Sequence, residues 1–176
     1  MQIRDGVPGD VGFLRTMGYE AAMWRPGAPR PPLEDVMAQP HFARYVIGWG
    51  RSGDAAVIGE DDRGVPLGAA WYRLFPSAEP GFGFVDDTTP EVSIAVREDA
   101  RGRGVGTSLL CALADRARSD GFHALSLSVE KDNPAVRLYE RAGFSVVDSK
   151  AETFTMCLDL RAKRWDRRRR GPRPPR

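Results

Sequence analysis

Apolar and polar residues change period along this chain, and the changes mark its elements. His123-Ala-Leu-Ser-Leu-Ser-Val-Glu130 alternates with period two, as a strand packed on one face does. Ala55–Glu60 and Pro66–Phe75 are apolar runs joined by the polar turn Asp61-Asp-Arg-Gly64, which predicts a hairpin. Glu91–Val96, Phe144–Asp148 and Thr153–Leu160 read as further strands, and Met1–Arg4 as a short first one. Helical spacing appears from Asp10, a suitable N-cap, through Ala22, again over Thr107–Arg118, and over Ala135–Ala142 behind Asn133-Pro134. Leu33–Trp49 has apolar residues at helical intervals but contains Pro40, so one interrupted helix or two short ones are expected. Arg25–Pro32 holds four prolines and must be a loop, and Pro76–Pro90 is a loop long enough to act as a lid.

The resulting order, β-α-α-β-β-β-α-β-α-β-β, predicts an α/β fold with a mixed sheet and helices on both faces. The chain's 176 residues suit one domain over residues 1–160. Arg161–Arg176 carries nine Lys/Arg against one Asp and cannot bury enough apolar area to offset its chain entropy, so a disordered tail is expected there. Against a formal charge of +2, this +8 tail leaves residues 1–160 at −6. A mildly acidic domain argues against nucleic-acid binding except weakly through the tail. Two cysteines and two histidines, scattered, give no metal-ligand spacing or disulfide framework. Cys111 falls in an apolar helix set and is expected in the core. With neither a signal-like N-terminus nor a run of membrane-span length, a cytoplasmic protein without membrane contact is expected. A homodimer is compatible with the sequence.

The candidate chemistry gathers where the strand Glu91–Val96 ends. Gly102, Gly104 and Gly106 follow at alternate positions and a helix begins, so flexible backbone N–H groups and a helix N-terminus converge, flanked by Arg101 and Arg103. This suits a phosphate or pyrophosphate. A P-loop requires a lysine, and there is none before Lys131. A dinucleotide fingerprint would place its third glycine at 107 and an acidic residue near Ser126, and neither is present.

Arg101-x-x-Gly104-x-Gly106, entered from Ile94-Ala-Val96, resembles the acyl-CoA-binding signature of the GCN5-related N-acetyltransferase superfamily. Asn133-Pro-Ala-Val-Arg-Leu-Tyr-Glu-Arg-Ala-Gly-Phe144 resembles that superfamily's second signature, and Asn133 is the only asparagine in the chain. Residues 91–148 carry the resemblance closely, and residues 1–90 in element order only. The resemblance implies a mostly antiparallel six- to seven-stranded sheet and transfer of an acetyl group from acetyl-CoA to a small-molecule or peptide amine, by direct attack in a ternary complex without a metal. It also implies that Gly102, Gly104, Val105, Gly106 and Thr107 hold the pyrophosphate with Arg101 and Arg103. Ile94, Ala95 and Val96 would line the pantetheine arm by their backbone, and Asn133 would bond it. Tyr139 would protonate the leaving thiolate, and Glu91 would act as general base. The rival is a non-catalytic acyl-CoA sensor or scaffold with a basic tail for nucleic acid. For the acceptor, Trp24, Phe82 and Phe84 could form an apolar wall, with Asp86 and Asp87 expected to be solvated.

Overall fold

The computed structural model describes residues 1–161, so the expected tail, apart from Arg161, lies outside the described residues. The strands are β1 (Gln2–Asp5), β2 (Ala55–Glu60), β3 (Pro66–Arg73), β4 (Glu91–Val96), β5 (Ala124–Glu130), β6 (Ser145–Ser149) and β7 (Thr153–Asp159). The α-helices are α1 (Val11–Ala22), α2 (Leu33–Met37), α3 (Pro40–Ala43), α4 (Val105–Ser119) and α5 (Val136–Arg141). The strands form one seven-stranded sheet in the order β1-β2-β3-β4-β5-β7-β6. Every pairing is antiparallel except β4 with β5. This is the expected α/β class.

Each face of the sheet carries its own core, and strand alternation sorts the residues. Ala55, Val57, Ala70, Tyr72 and Val92 point to α4 and α5, where Leu109, Leu110 and Leu113 are fully buried. Ala56, Ile58, Ala69, Trp71 and Ala95 point to α1 and α2, against Leu14, Met17 and Met37. The small residues of β2 and β3 let helices approach both faces closely. Burying each of the three leucines contributes roughly 2 kcal/mol. Cys111 departs from expectation: it lies outside α4's buried set and is half-buried.

Helix boundaries follow local chemistry. Gly104 has φ +81°, a left-handed conformation that suits glycine, and α4 begins immediately after it, two residues earlier than the apolar pattern indicates. Pro40 splits the second helical region into α2 and α3. Asp10 precedes α1 as expected, but its carboxylate accepts from Arg4 and the Val7 N–H and does not cap the helix.

One buried ion pair fixes the segment between α3 and β2. The Arg73 guanidinium, 2% exposed, donates to both Asp54 oxygens at 3.0 and 2.6 Å and to the carbonyls of Arg44 and Ile47, each at 2.7 Å. Asp54 Oδ2 also accepts from the backbone N–H groups of Gly50 and Arg51. Removing the carboxylate strands a charge inside the protein. Asp54→Ala is therefore expected to lower unfolding free energy by about 3 kcal/mol or more, measured by urea denaturation.

Candidate active site

β4 and β5 touch at a single parallel pair, Glu91 opposite Ser126, with the Ser126 N–H donating to the Pro90 carbonyl at 3.0 Å. Beyond that pair the two strands diverge toward their C-terminal ends. The Arg97 N–H donates to the Leu67 carbonyl at 2.8 Å, which makes those residues a hydrogen-bonded pair of the β3–β4 ladder. Such pairs alternate, so Ala95 and Ser93 direct their backbone polar groups to β3, while Ile94 and Val96 direct theirs toward β5. The cleft thus has a wall of backbone donors and acceptors, and of the three strand residues expected to line it, Ile94 and Val96 face it by backbone.

At the open end lies the glycine stretch. Gly102 and Gly104 both have positive φ and open space where a Cβ would be. No side chain among the described residues caps α4, leaving the first-turn N–H groups of Val105, Gly106 and Thr107 without an intrahelical acceptor. Arg101 and Arg103 are exposed beside them. Arg101 donates to the Val96 carbonyl (3.1 Å) and pairs with Glu20 of α1 (3.4 Å), which joins the loop to the opposite face of the sheet. The two sequence signatures meet here, since a Cβ on Gly106 would lie 3.4 Å from Leu138 Cδ2 of α5. Asn133 Oδ1 accepts from the Ala135 N–H (2.9 Å) and shapes the turn into α5. Tyr139 is buried against Phe144, and burial pushes its phenol up to about 12.

Glu91 occupies the closed end and is 3% exposed. Oε1 accepts from the Tyr45 hydroxyl (2.7 Å) and the Gly83 N–H (2.8 Å). Oε2 has no hydrogen-bond partner among the described residues, and neither has the buried hydroxyl of neighbouring Ser126. The long loop before β4 closes over this carboxyl. A Cβ on Gly81 would lie 2.1 Å from Oε2, and one on Gly83 would lie 2.4 Å from the Leu127 carbonyl carbon. At Gly83 the obstacle is β5 backbone, so only glycine fits, whereas a side chain at Gly81 would have to displace the Glu91 carboxyl. Burial raises the carboxyl from 4.5 to about 7, and the Tyr45 and Gly83 donors and the charges of Arg44 and Lys150 pull the other way without cancelling it.

Tyr45 and the two loop glycines were not legible as site residues. Tyr45 stands 46 positions from Glu91 in an apolar helical pattern, and only the fold joins them. The apolar wall is built differently from the expectation. Phe82 meets His41 (6.0 Å), Phe42 (6.1 Å) and Tyr45 (6.0 Å), whereas Trp24 carries the Arg25 guanidinium and Phe84 packs on the core of the α1 face. Asp86 and Asp87 are exposed, as expected, and accept from Thr88 and Ser77.

The profile of the acetyltransferase (GNAT) family matches residues 19–144. The chain belongs to this family. It is 37% identical over 114 residues to an L-methionine sulfoximine/L-methionine sulfone acetyltransferase of Pseudomonas paraeruginosa, a match covering 62% of the chain and 63% of that relative. A Salmonella typhimurium protein of the same name is 32% identical over 146 residues, 81% of the chain and 77% of that relative. Among solved structures, yncA of Salmonella typhimurium, a putative acetyltransferase with its cofactor acetyl-CoA, superposes with a TM-score of 0.63 at 25% identity, covering 91% of the chain and 94% of yncA.

A carboxyl whose folded-state affinity for a proton exceeds that of the unfolded chain stabilises the GNAT fold at low pH and loses that contribution as pH rises through its folded value. For Glu91, lifted from 4.5 to about 7, roughly 3 kcal/mol is lost across that window. Denaturation from pH 4.5 to 8 should show this decline in the wild type and lack it in Glu91→Gln. An identical pH dependence in both would show that Glu91 is not perturbed.

Proposed function

We propose that the chain transfers the acetyl group of acetyl-CoA to the primary amine of an amino-acid-type acceptor, by direct attack with both substrates bound. The observation that carries this reading is a half-unpaired strand leading from an anion-binding helix N-terminus to a buried, unpartnered carboxylate oxygen. The chain's residues fit the cofactor. Uncapped N–H groups of Val105, Gly106 and Thr107 suit pyrophosphate oxygens, with Arg101 and Arg103 beside them and Gly102 and Gly104 leaving room for close approach. The backbone of Ile94 and Val96 suits the amides of the pantetheine arm as an added strand would, Ala95 contributes the strand between them, and the amide of Asn133 lies on the β5 side.

Bound acetyl-CoA supplies an acyl thioester, and the remaining tasks belong to this chain. The amine must lose a proton to become a nucleophile, and Glu91, held near neutrality, can accept one at physiological pH. The sulfur must gain one, and Tyr139, whose buried phenol keeps its proton through neutral pH, is the donor. The exposed aromatic face of Phe82 with His41 and Phe42 suits the apolar part of an acceptor side chain. The amino-acid acceptor class is supported by the relatives named for L-methionine sulfoximine and L-methionine sulfone. Arg161–Arg176 takes no part in this reading.

The test is release of free CoA thiol from acetyl-CoA with a panel of amines. The expected result is turnover with small α-amino acids or their sulfone and sulfoximine derivatives, together with a mass gain of one acetyl group on the acceptor nitrogen. Thiol release that does not depend on any amine would overturn the transfer reading.

A further inference from the structure

Glu91 is gripped by one oxygen only, and the grip comes from an element distant in sequence. The Tyr45 hydroxyl donates to Oε1 at 2.7 Å and accepts from the Phe82 N–H at 2.7 Å, while the Gly83 N–H donates to the same Oε1 at 2.8 Å. Tyr45 is itself fixed from three sides. Its carbonyl accepts from the Trp71 indole at 2.9 Å, its ring meets Phe75 edge-on at 5.0 Å, and it stacks on Phe82 at 12°. Burial and the charge of Glu91 hold the Tyr45 phenol far above its ordinary range, so its hydroxyl stays a donor wherever Glu91 titrates.

We propose that Tyr45 is a positioning residue for Glu91, fixing Oε1 and coupling it to the Gly81–Gly83 segment so that Oε2 is the oxygen that takes the acceptor's proton. The proposal rests on the reading of Glu91 as general base. Two donors engage the lone pairs of Oε1, while Oε2 has none engaged and is the free acceptor. In the step, an N–H bond of the acceptor breaks, an O–H bond forms at Oε2, and the electron pair stays on nitrogen as the nucleophile. Gly81 lies against Oε2 and covers it in this state. Because Phe82 and Gly83 are tied to Tyr45 and Glu91, displacement of this cover by an acceptor disturbs the hydrogen bonds that set the base.

Among the described residues, Arg73 stands directly opposite Glu91 on β3, with its guanidinium bonded to Asp54. Arg44, just after α3, and Lys150, in the turn between β6 and β7, both favour its charged form. Tyr45 supplies the neutral hydroxyl, β5 supplies Ser126, and the covering segment supplies only backbone N–H groups and the Phe82 ring.

Tyr45→Phe keeps the ring contacts and deletes the hydroxyl. Losing a donor to the carboxylate raises the Glu91 midpoint further, so the limb of kcat/KM that rises with pH should move about one pH unit alkaline, a roughly tenfold loss below that limb. The dissociation constant for acetyl-CoA, measured by calorimetry, should stay within about twofold of wild type. The same displacement is expected without substrate, in a carbon-13 titration of the Glu91 carboxyl. A merely structural tyrosine would leave both midpoints in place, and that result overturns the proposal. If Tyr45→Phe does not fold, 3-fluorotyrosine at position 45, a stronger donor of the same shape, must move the carboxyl midpoint to lower pH, and an unmoved midpoint overturns the proposal. Full turnover in Glu91→Gln also overturns it, while leaving acetyl transfer itself standing. Failure of the transfer reading would show instead in the wild-type thiol-release assay, which is independent of the titration.

Discussion

The parting of β4 from β5 is the constraint on which the rest of the site depends. Parallel strands that ran together for their full length would consume the backbone groups of Ile94 and Val96 and close the sheet. Here the ladder stops at Glu91 and Ser126. The Gly83 peptide lies against Leu127 and Ser128 just beyond that pair, and a side chain at Gly83 would collide with the β5 backbone. The divergence leads from the glycine stretch at one end to the carboxyl of Glu91 at the other. α4 keeps the two halves of the sheet in one domain, because its buried leucines pack in one core with Val57, Tyr72 and Val92 of the first half and Leu125, Leu127 and Met156 of the second.

Burying a carboxyl at the closed end is costly, and the fold offsets only part of that cost. Among the described residues two donors reach Oε1 and none reaches Oε2, so the charged form is destabilised and burial pushes the carboxyl up to about 7. Contrast Asp54, equally buried, whose oxygens are engaged by Arg73 and by two backbone N–H groups. Fully paired, it anchors the segment that carries Tyr45. One buried carboxylate is satisfied and holds structure, the other is left half-satisfied, and the first positions the partner of the second.

Much of this was legible in the sequence because it is local. Period-two and helical spacing place nearly every element. Gly104 with its left-handed backbone and Asn133 before α5 signal themselves through residue types that local geometry demands. What was not legible is what tertiary folding assembles. Tyr45 and Arg73 sit in apolar patterns that read as core, and nothing nearby marks them as partners of Glu91 and Asp54. Gly81 and Gly83 look like ordinary loop glycines until the carboxyl and the β5 backbone lie against them. Cys111 reads as core from helix periodicity, yet it lies outside the buried set of α4 and is half-buried.

We propose that the β5-facing backbone of β4 takes the arm of the cofactor. Residue-resolved amide hydrogen exchange, with and without saturating CoA, tests it most directly. Ile94 and Val96 are expected to exchange readily in the free protein and to become strongly protected with CoA, while Ser93 and Ala95, already bonded to β3, change little. CoA binding that leaves Ile94 and Val96 unprotected would contradict it.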